Sequence, residues 1–280
     1  MSWYPGHMKK ALDEIKEKIK LVDVVVEVID ARMPYSTKNP YVAKIAENKE
    51  HILLMTKKDL ADKDETAKWL KQFREDGFSA FAINTFDKRD ISSFKRFLKD
   101  VKQDILENKK SKRENFEMKV MVVGMPNVGK SSFLNAFKGT KSTKVGNTPG
   151  VTRNMQWVRT GEDILLLDTP GILMMSRSEE NRVTNLEVLN SIDTSEIDAA
   201  ETALLMIKIL QTRYPGLLNN RYGVDESEEP LAVLEGIAKR RGALIKGGEY
   251  DYSRAGSILV DEFRKGVLGN LTLESVDEIY

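Results

Sequence analysis

The sequence has no cysteine and only two histidines in 280 residues. The first absence excludes a disulfide framework and any thiolate metal site, and it agrees with a reducing compartment. No apolar run approaches the roughly 20 residues that a bilayer-spanning helix needs, so no membrane partner is expected. The N-terminus carries Lys9 and Lys10 ahead of an amphipathic pattern instead of an apolar core, which leaves export without a signal and points to the cytoplasm. Net charge is also nearly absent, at +1. That figure hides an asymmetry: residues 1–173 hold 32 Lys+Arg against 24 Asp+Glu, a net of +8, and the remainder holds 12 against 19, a net of −7. The split argues for two domains and against a uniformly basic nucleic-acid binder.

What is present is the composition of a soluble globular chain, 41% hydrophobic and 31% charged, with length for one large or two ordinary domains. Three stretches read as buried parallel strands: Asp23–Ile29, His51–Met55 and Ala80–Ile83. Helical patterns around Val42–Glu47, Asp64–Asp76 and Ile91–Leu106 separate them, and Leu12, Ile15 and Ile19 mark a further helix near the start. Lys119–Val123, Met155–Arg159 and Ile164–Leu167 read as three more strands. Strands alternating with helices predict an α/β fold with a mostly parallel sheet covered on both faces. After Gly171 the strand signals largely vanish, and Glu179–Arg213, Leu231–Arg240 and Ser253–Lys265 show helical spacing. The expected division is therefore an α/β domain over 1–173 and a small all-α domain over 174–280.

Gly124–Ser131, GMPNVGKS, satisfies the phosphate-loop pattern G-x-x-x-x-G-K-[ST] between an apolar strand and a helix start. Its glycines permit a tight loop whose amides, with the helix N-terminus, cradle phosphate oxygens. The nucleotide-binding residues expected here are Asn127, Val128, Gly129, Lys130, Ser131 and Ser132. Lys130 would reach the β- and γ-phosphates, and the Ser131 hydroxyl would bind Mg²⁺. Leu165–Gly171, LLLDTPG, ends a buried strand on Asp168, placed to hold Mg²⁺ through water, with the Gly171 amide placed for the γ-phosphate.

Met55–Asp59 reads MTKKD at a strand end. Guanine presents N1–H and N2–H₂ as adjacent donors, and one carboxylate, Asp59, can accept both. Adenine would aim a lone pair at it, so the site rejects the wrong base. The aliphatic stem of Lys57 can cover the base face, and Asn84–Thr85 form a plausible base-supporting loop. Thr56, also expected to touch the nucleotide, stands where Asn is commoner. Ligands of open α/β sheets sit at the carboxyl ends of the strands whatever the order in which the chain visits them. A guanine motif ahead of the phosphate loop therefore still builds one GTP/GDP pocket, in circularly permuted order.

WYPGHM, DARMPYSTKNP, TKKD, GMPNVGKSS, NTPGVT and DTPGI, in this order, make the chain similar to the ribosome biogenesis GTPase A (YlqF/RbgA) family of circularly permuted GTPases. The likeness extends over essentially the whole chain, including RYPGLLNNRYG and KRRGALIKGG; Met174–Met175 depart from the aromatic–proline pair expected after DTPGIL. It implies a GTP-hydrolysing factor acting late in assembly of the large ribosomal subunit, with rRNA as its binding surface. It also implies Thr152 of PGVT as the Mg²⁺-binding switch threonine, with Thr148 the alternative, and places His7 of WYPGHM near the nucleotide.

Ile172 occupies the position where Ras-like enzymes carry a water-orienting Gln, so slow intrinsic turnover and help from the ribosome are expected. His7 is the candidate to position that water, or else a packed residue of an anchoring segment; His51, opening a strand, reads as structural. Asn127 could ligate K⁺ in place of an arginine finger, or simply brace its loop. Asp30 and Arg32 of DAR read equally as a structural ion pair or as a contact to switch or rRNA. Lys239, Arg240, Arg241 and Lys246 form the dense basic cluster of the acidic half, the candidate rRNA contact, whereas Lys109, Lys110, Lys112 and Arg113 read as a solvated linker. A monomer away from the ribosome is expected. A nucleotide-gated RNA scaffold in which hydrolysis is incidental remains the rival reading, and a GTPase serving RNA modification is a weaker one.

Overall fold

The computed structural model describes residues 13–108, 116–138, 155–160, 163–171, 180–191 and 198–279. Its six strands are β1 (Val24–Asp30), β2 (Glu50–Thr56), β3 (Ser79–Ala82), β4 (Met118–Gly124), β5 (Gln156–Arg159) and β6 (Ile164–Asp168). They form one sheet in the order β3-β2-β1-β4-β6-β5. The first five strands of that order run parallel, and β5 pairs antiparallel with β6. Every residue of β1 (VVVEVID) is buried, as a central strand covered on both faces requires. The strands lie within two residues of the spans read from the sequence. β3 and β5, however, are the sheet edges: Phe81 and Ala82 are half-buried, and most of β5 faces solvent.

Alternation along the strands assigns the two faces. Val24, Val26, Val28, Ile52, Leu54, Val120 and Val122 pack beneath α5 (Lys88–Asn108) and α6 (Lys130–Lys138). Ile91, Phe94, Leu98 and Val101 supply the α5 side of that contact at three- and four-residue spacing. On the other face, Val25, Met121, Val123 and Leu167 meet Ile15 of α1 (described over 13–18) and Val42 of α3 (Pro40–Ile45). Leu53 and Met55 lie under Trp69 and Phe73 of α4 (Lys63–Glu75). Asp62 caps α4 by accepting from the amides of Asp64 and Glu65. A short α2 (Pro34–Thr37) follows β1.

Among the described residues after β6, the chain is helical apart from one isolated bridge, Leu244↔Tyr250. The helices are α7 (Glu180–Val188), α8 (Ala199–Arg213), α9 (Leu217–Tyr222), α10 (Pro230–Arg241), α11 (Tyr252–Arg264) and α12 (Val276–Ile279). The continuous helical spacing expected over Glu179–Arg213 is a misreading. α7 stops at a turn in which Asn190 is left-handed (φ 55°), and α8 starts afresh behind an Asp198 cap. The helical core gathers Leu210, Leu218, Val233, Leu234, Ile237, Leu259 and Phe263, and it takes in Met33 from the loop after β1.

The segment after α11 returns to the sheet as a strap. Leu271 N–H donates to the Leu60 carbonyl (3.0 Å) and Leu273 N–H to the Arg32 carbonyl (2.9 Å). Trp69 Nε1 donates to the Glu274 carbonyl (3.0 Å), and the buried Glu274 carboxylate accepts from the Tyr35 and Ser36 amides at the start of α2. The strap therefore crosses the ends of β1 and β2, where the guanine motif begins.

Candidate functional site

β1, β2, β4 and β6 end together, and their last residues are Asp30, Thr56, Gly124 and Asp168. Every motif read from the sequence within the described residues of the sheet thus lies at its carboxyl edge, where an open α/β sheet binds ligands.

The phosphate loop turns through Asn127 (φ 60°) and Gly129 (φ +96°) before α6 opens at Lys130. A Cβ on Gly129 would lie 2.9 Å from Thr56 Oγ1, so both its backbone angle and its neighbour demand glycine. Val128 is fully buried, which leaves only its main chain for a nucleotide. Ser131 and Ser132 stand half-buried in the first turn of α6. Gly171 closes the other wall: a Cβ there would lie 2.9 Å from Pro126 Cγ and 3.0 Å from Pro126 N. The loop after β6 therefore packs directly on the phosphate loop.

Lys130 is 93% shielded from solvent and joins the two walls. Its Nζ donates to Asp168 Oδ1 (2.9 Å) and to the Thr169 carbonyl. Burial pulls the ammonium below the usual lysine range, and Asp168 opposes that pull. A third donor on the same nitrogen suits it to a phosphate oxygen. Ser131 and Asp168 supply one hydroxyl and one carboxylate. No cluster of three or more metal-binding side chains occurs among the described residues. That set fits an ion such as Mg²⁺, which keeps several waters and takes its remaining ligands from substrate phosphates.

On the guanine side, Thr56 requires a correction. It was expected to touch the nucleotide, but it is fully buried, and its hydroxyl lies between the carbonyls of Ile29 (3.2 Å) and Val128, which share its single proton. Its role is to brace β2 against β1 and the phosphate loop. Lys57, left-handed at φ 58°, directs Nζ to the Asn127 carbonyl (2.7 Å) and to Asp30 Oδ2 (2.7 Å), which stretches its stem along the pocket floor. Asp59 is exposed beside it. Sequence reasoning missed Asp90. Its carboxylate accepts from Lys58 Nζ (2.6 Å) and from the Asn84 main-chain amide (2.7 Å), locking the loop after β3 to the MTKKD segment. Asn84 Oδ1 is used locally by the Phe86 amide (2.9 Å), and Thr85 is half-buried. The spacing Lys58–Asp90 carries no motif, so only the fold reveals this partner.

Asp30 and Arg32 form a buried ion pair at 2.8 Å, which decides between the two readings of DAR in favour of structure. Burial alone would raise the Asp30 pKa, but Arg32 and Lys57 outweigh it and hold the carboxylate far below its usual range. His51 pairs with buried Glu27 (2.9 Å) and edges onto Phe78, a structural role. In the basic cluster, Lys239, Arg240 and Lys246 are exposed. Arg241 is exposed as well, and its guanidinium pairs with Glu262 and lies over the Tyr222 ring. His7, Thr148, Thr152, Ile172, Met174–Met175, the 109–113 basic run and the 173/174 division lie outside the described residues.

Comparison with known proteins agrees with this geometry. A family described as 50S ribosome-binding GTPase matches residues 119–233, starting at β4 and leaving the guanine motif on its N-terminal side. Ribosome biogenesis GTPase A of Bacillus licheniformis is 35% identical, covering 100% of this chain and 99% of its own. The protein of the same name from Thermotoga maritima is 32% identical over 100% and 96%. A GDP-bound YlqF structure superposes with a TM-score of 0.67 at 27% identity, covering 94% of this chain and 99% of that one. The GNP-bound YlqF from T. maritima superposes at 0.65, covering 95% and 98%. With its guanine motif ahead of its phosphate loop and both at one sheet edge, the chain belongs to the ribosome biogenesis GTPase A family.

Proposed function

We propose that this GTPase serves assembly of the large ribosomal subunit, binding rRNA in a nucleotide-dependent way and turning over fastest on the particle. The observation that carries the reading is the meeting of both motif sets: Lys57 of the guanine motif lies 2.7 Å from the phosphate-loop carbonyl of Asn127, and Gly171 lies against Pro126. Its relatives bear the same assembly function in their names.

Asp59 accepts the two guanine donors, and Lys57 lies along the base. Main-chain amides from Asn127 to Ser132 and the Lys130 ammonium take the phosphates, Lys130 through its third N–H. Mg²⁺, when bound, neutralises charge on the β- and γ-oxygens; Ser131, Thr152 and, through water, Asp168 would hold it. Gly171 N–H donates to the γ-phosphate. Asn127 turns its amide nitrogen to the Asn190 carbonyl, so its oxygen is the ligand it would offer K⁺. His7 orients the attacking water. Residues 1–173 form the nucleotide domain and 174–280 a helical domain that presents Lys239, Arg240, Arg241 and Lys246 to rRNA. The protein is read as a cytoplasmic monomer away from the ribosome.

The test is steady-state GTP hydrolysis with and without purified large subunits, in K⁺ and in Na⁺ buffer. Stimulation on the order of 10³-fold or more would match a missing charge or water ligand supplied in trans. Unchanged hydrolysis with persistent GTP-dependent subunit binding would favour a scaffold. Equal rates in K⁺ and Na⁺ would remove the ion from the mechanism.

A further inference from the structure

Arg32 and Asp30 lie outside every motif that touches a nucleotide, yet they occupy the middle of a closed circuit of hydrogen bonds. Asp30 Oδ2 accepts from Lys57 Nζ (2.7 Å), and the same nitrogen donates to the Asn127 carbonyl in the phosphate loop (2.7 Å). Arg32 grips Asp30 from the other side through Nε (3.0 Å) and Nη2 (2.8 Å). Its remaining Nη1 donates to the Arg264 carbonyl at the end of α11 (3.1 Å), and its guanidinium lies over the Phe263 ring. The Arg264 side chain then caps the end of α7, donating to the carbonyls of Glu187 (2.6 Å) and Val188 (2.6 Å). Asn190, in the turn that follows, closes the circuit by accepting from Asn127 Nδ2.

We propose that Asp30 and Arg32 are positioning residues that fix Lys57 against the phosphate loop and bind the state of that loop to the seam between α7 and α11. Three features support this. Both side chains are almost completely buried, so neither serves a surface contact. A planar fork is needed to span carboxylate and carbonyl together, which only arginine provides. The circuit also joins two parts of the chain that the nucleotide would otherwise touch on one side only, and coupling needs differential contacts of this kind. The device works with any nucleotide that occupies the phosphate loop, so it rests on the nucleotide site and not on the ribosomal role.

The test is amide hydrogen exchange on the full chain, free and saturated with GDP or a non-hydrolysable GTP analogue. Nucleotide is expected to slow exchange about tenfold or more at residues 189–191 and 265–267. No change at either segment in the unaltered protein overturns the proposal. Arg32→Lys keeps a cation beside Asp30 but loses the fork. At saturating nucleotide it is expected to lose the slowing at 265–267 and retain that at 189–191, which Asn127 reaches directly. An Arg32→Lys protein that responds at 265–267 like the unaltered one also overturns it. Asp30→Asn is expected to weaken GDP and GTP alike by about tenfold, and unchanged affinity there counts against the positioning role. Subunit-stimulated hydrolysis is measured separately, so failure here and failure of the ribosomal reading are distinguishable.

Discussion

Asp59, proposed to read the base, presents one exposed carboxylate, and the chemistry of that pairing can be inverted. An amide at this position offers one donor and one acceptor, which suits xanthine, whose O2 replaces the guanine amino group. Asp59→Asn is therefore expected to lower GTP affinity about 100-fold or more and to raise XTP affinity, measured by competition against a fluorescent nucleotide. Retained GTP preference would mean that another group reads the base. At this scale the sequence is informative where chemistry dictates spacing. Lys130, Ser131 and Asp168 lie at the carboxyl edge of the sheet, a placement their motifs announce without coordinates. Thr56 was legible as part of a motif but not as a fully buried brace, because its acceptors, Ile29 and Val128, are distant in sequence. Asp90 was missed for the same reason: tertiary approach, not spacing, chose its partner Lys58.

The end of α7 shows how one element can carry an internal cost. Glu187 is almost fully buried; among the described residues its Oε1 has no hydrogen-bond partner, and Thr202 Oγ1 (3.2 Å) reaches Oε2. Burial pushes the Glu187 carboxyl up to about 7, with Glu201 adding to the rise and the Thr202 contact opposing it. A folded-state pKa above the unfolded value of roughly 4.3 means the full contribution to stability is present below that value. It is lost as pH rises through about 7, when the buried carboxyl must ionise. Glu187→Gln is expected to raise the thermal midpoint at pH 8.5 by several degrees and to leave it nearly unchanged at pH 5, followed by circular dichroism. A gain of equal size at both pH values would assign the effect to packing. The break after α7 was not legible because apolar spacing continues past it. The turn depends on Asn190 adopting a left-handed backbone, which asparagine permits but does not announce. Sheet strands were read more closely, since fully buried runs such as β1 have few other structures open to them.

Across the whole molecule, the order of the motifs and the return of the strap place the helical elements against the nucleotide edge. The exposed Lys239, Arg240 and Lys246 lie on the far part of that helical region, at the end of α10 and in the turn beyond it. If they meet rRNA phosphates, replacing all three with alanine should weaken subunit binding. The log–log salt dependence of that binding should also become shallower by about two to three. A slope that does not change would place the RNA contact elsewhere. The strap itself was invisible in the sequence, because residues 271–274 resemble a tail until Leu60, Arg32 and Trp69 are seen to receive them. One result of that closure is optical. Trp69 is wholly shielded, stacks at a tilt on Phe73, and spends its indole N–H on the Glu274 carbonyl. Releasing the strap would wet this indole and redden its emission, while Trp157 on the open edge is wet already. The molecule thus carries a built-in fluorophore that reports, without any label, whether its last segment is seated beside the guanine loop.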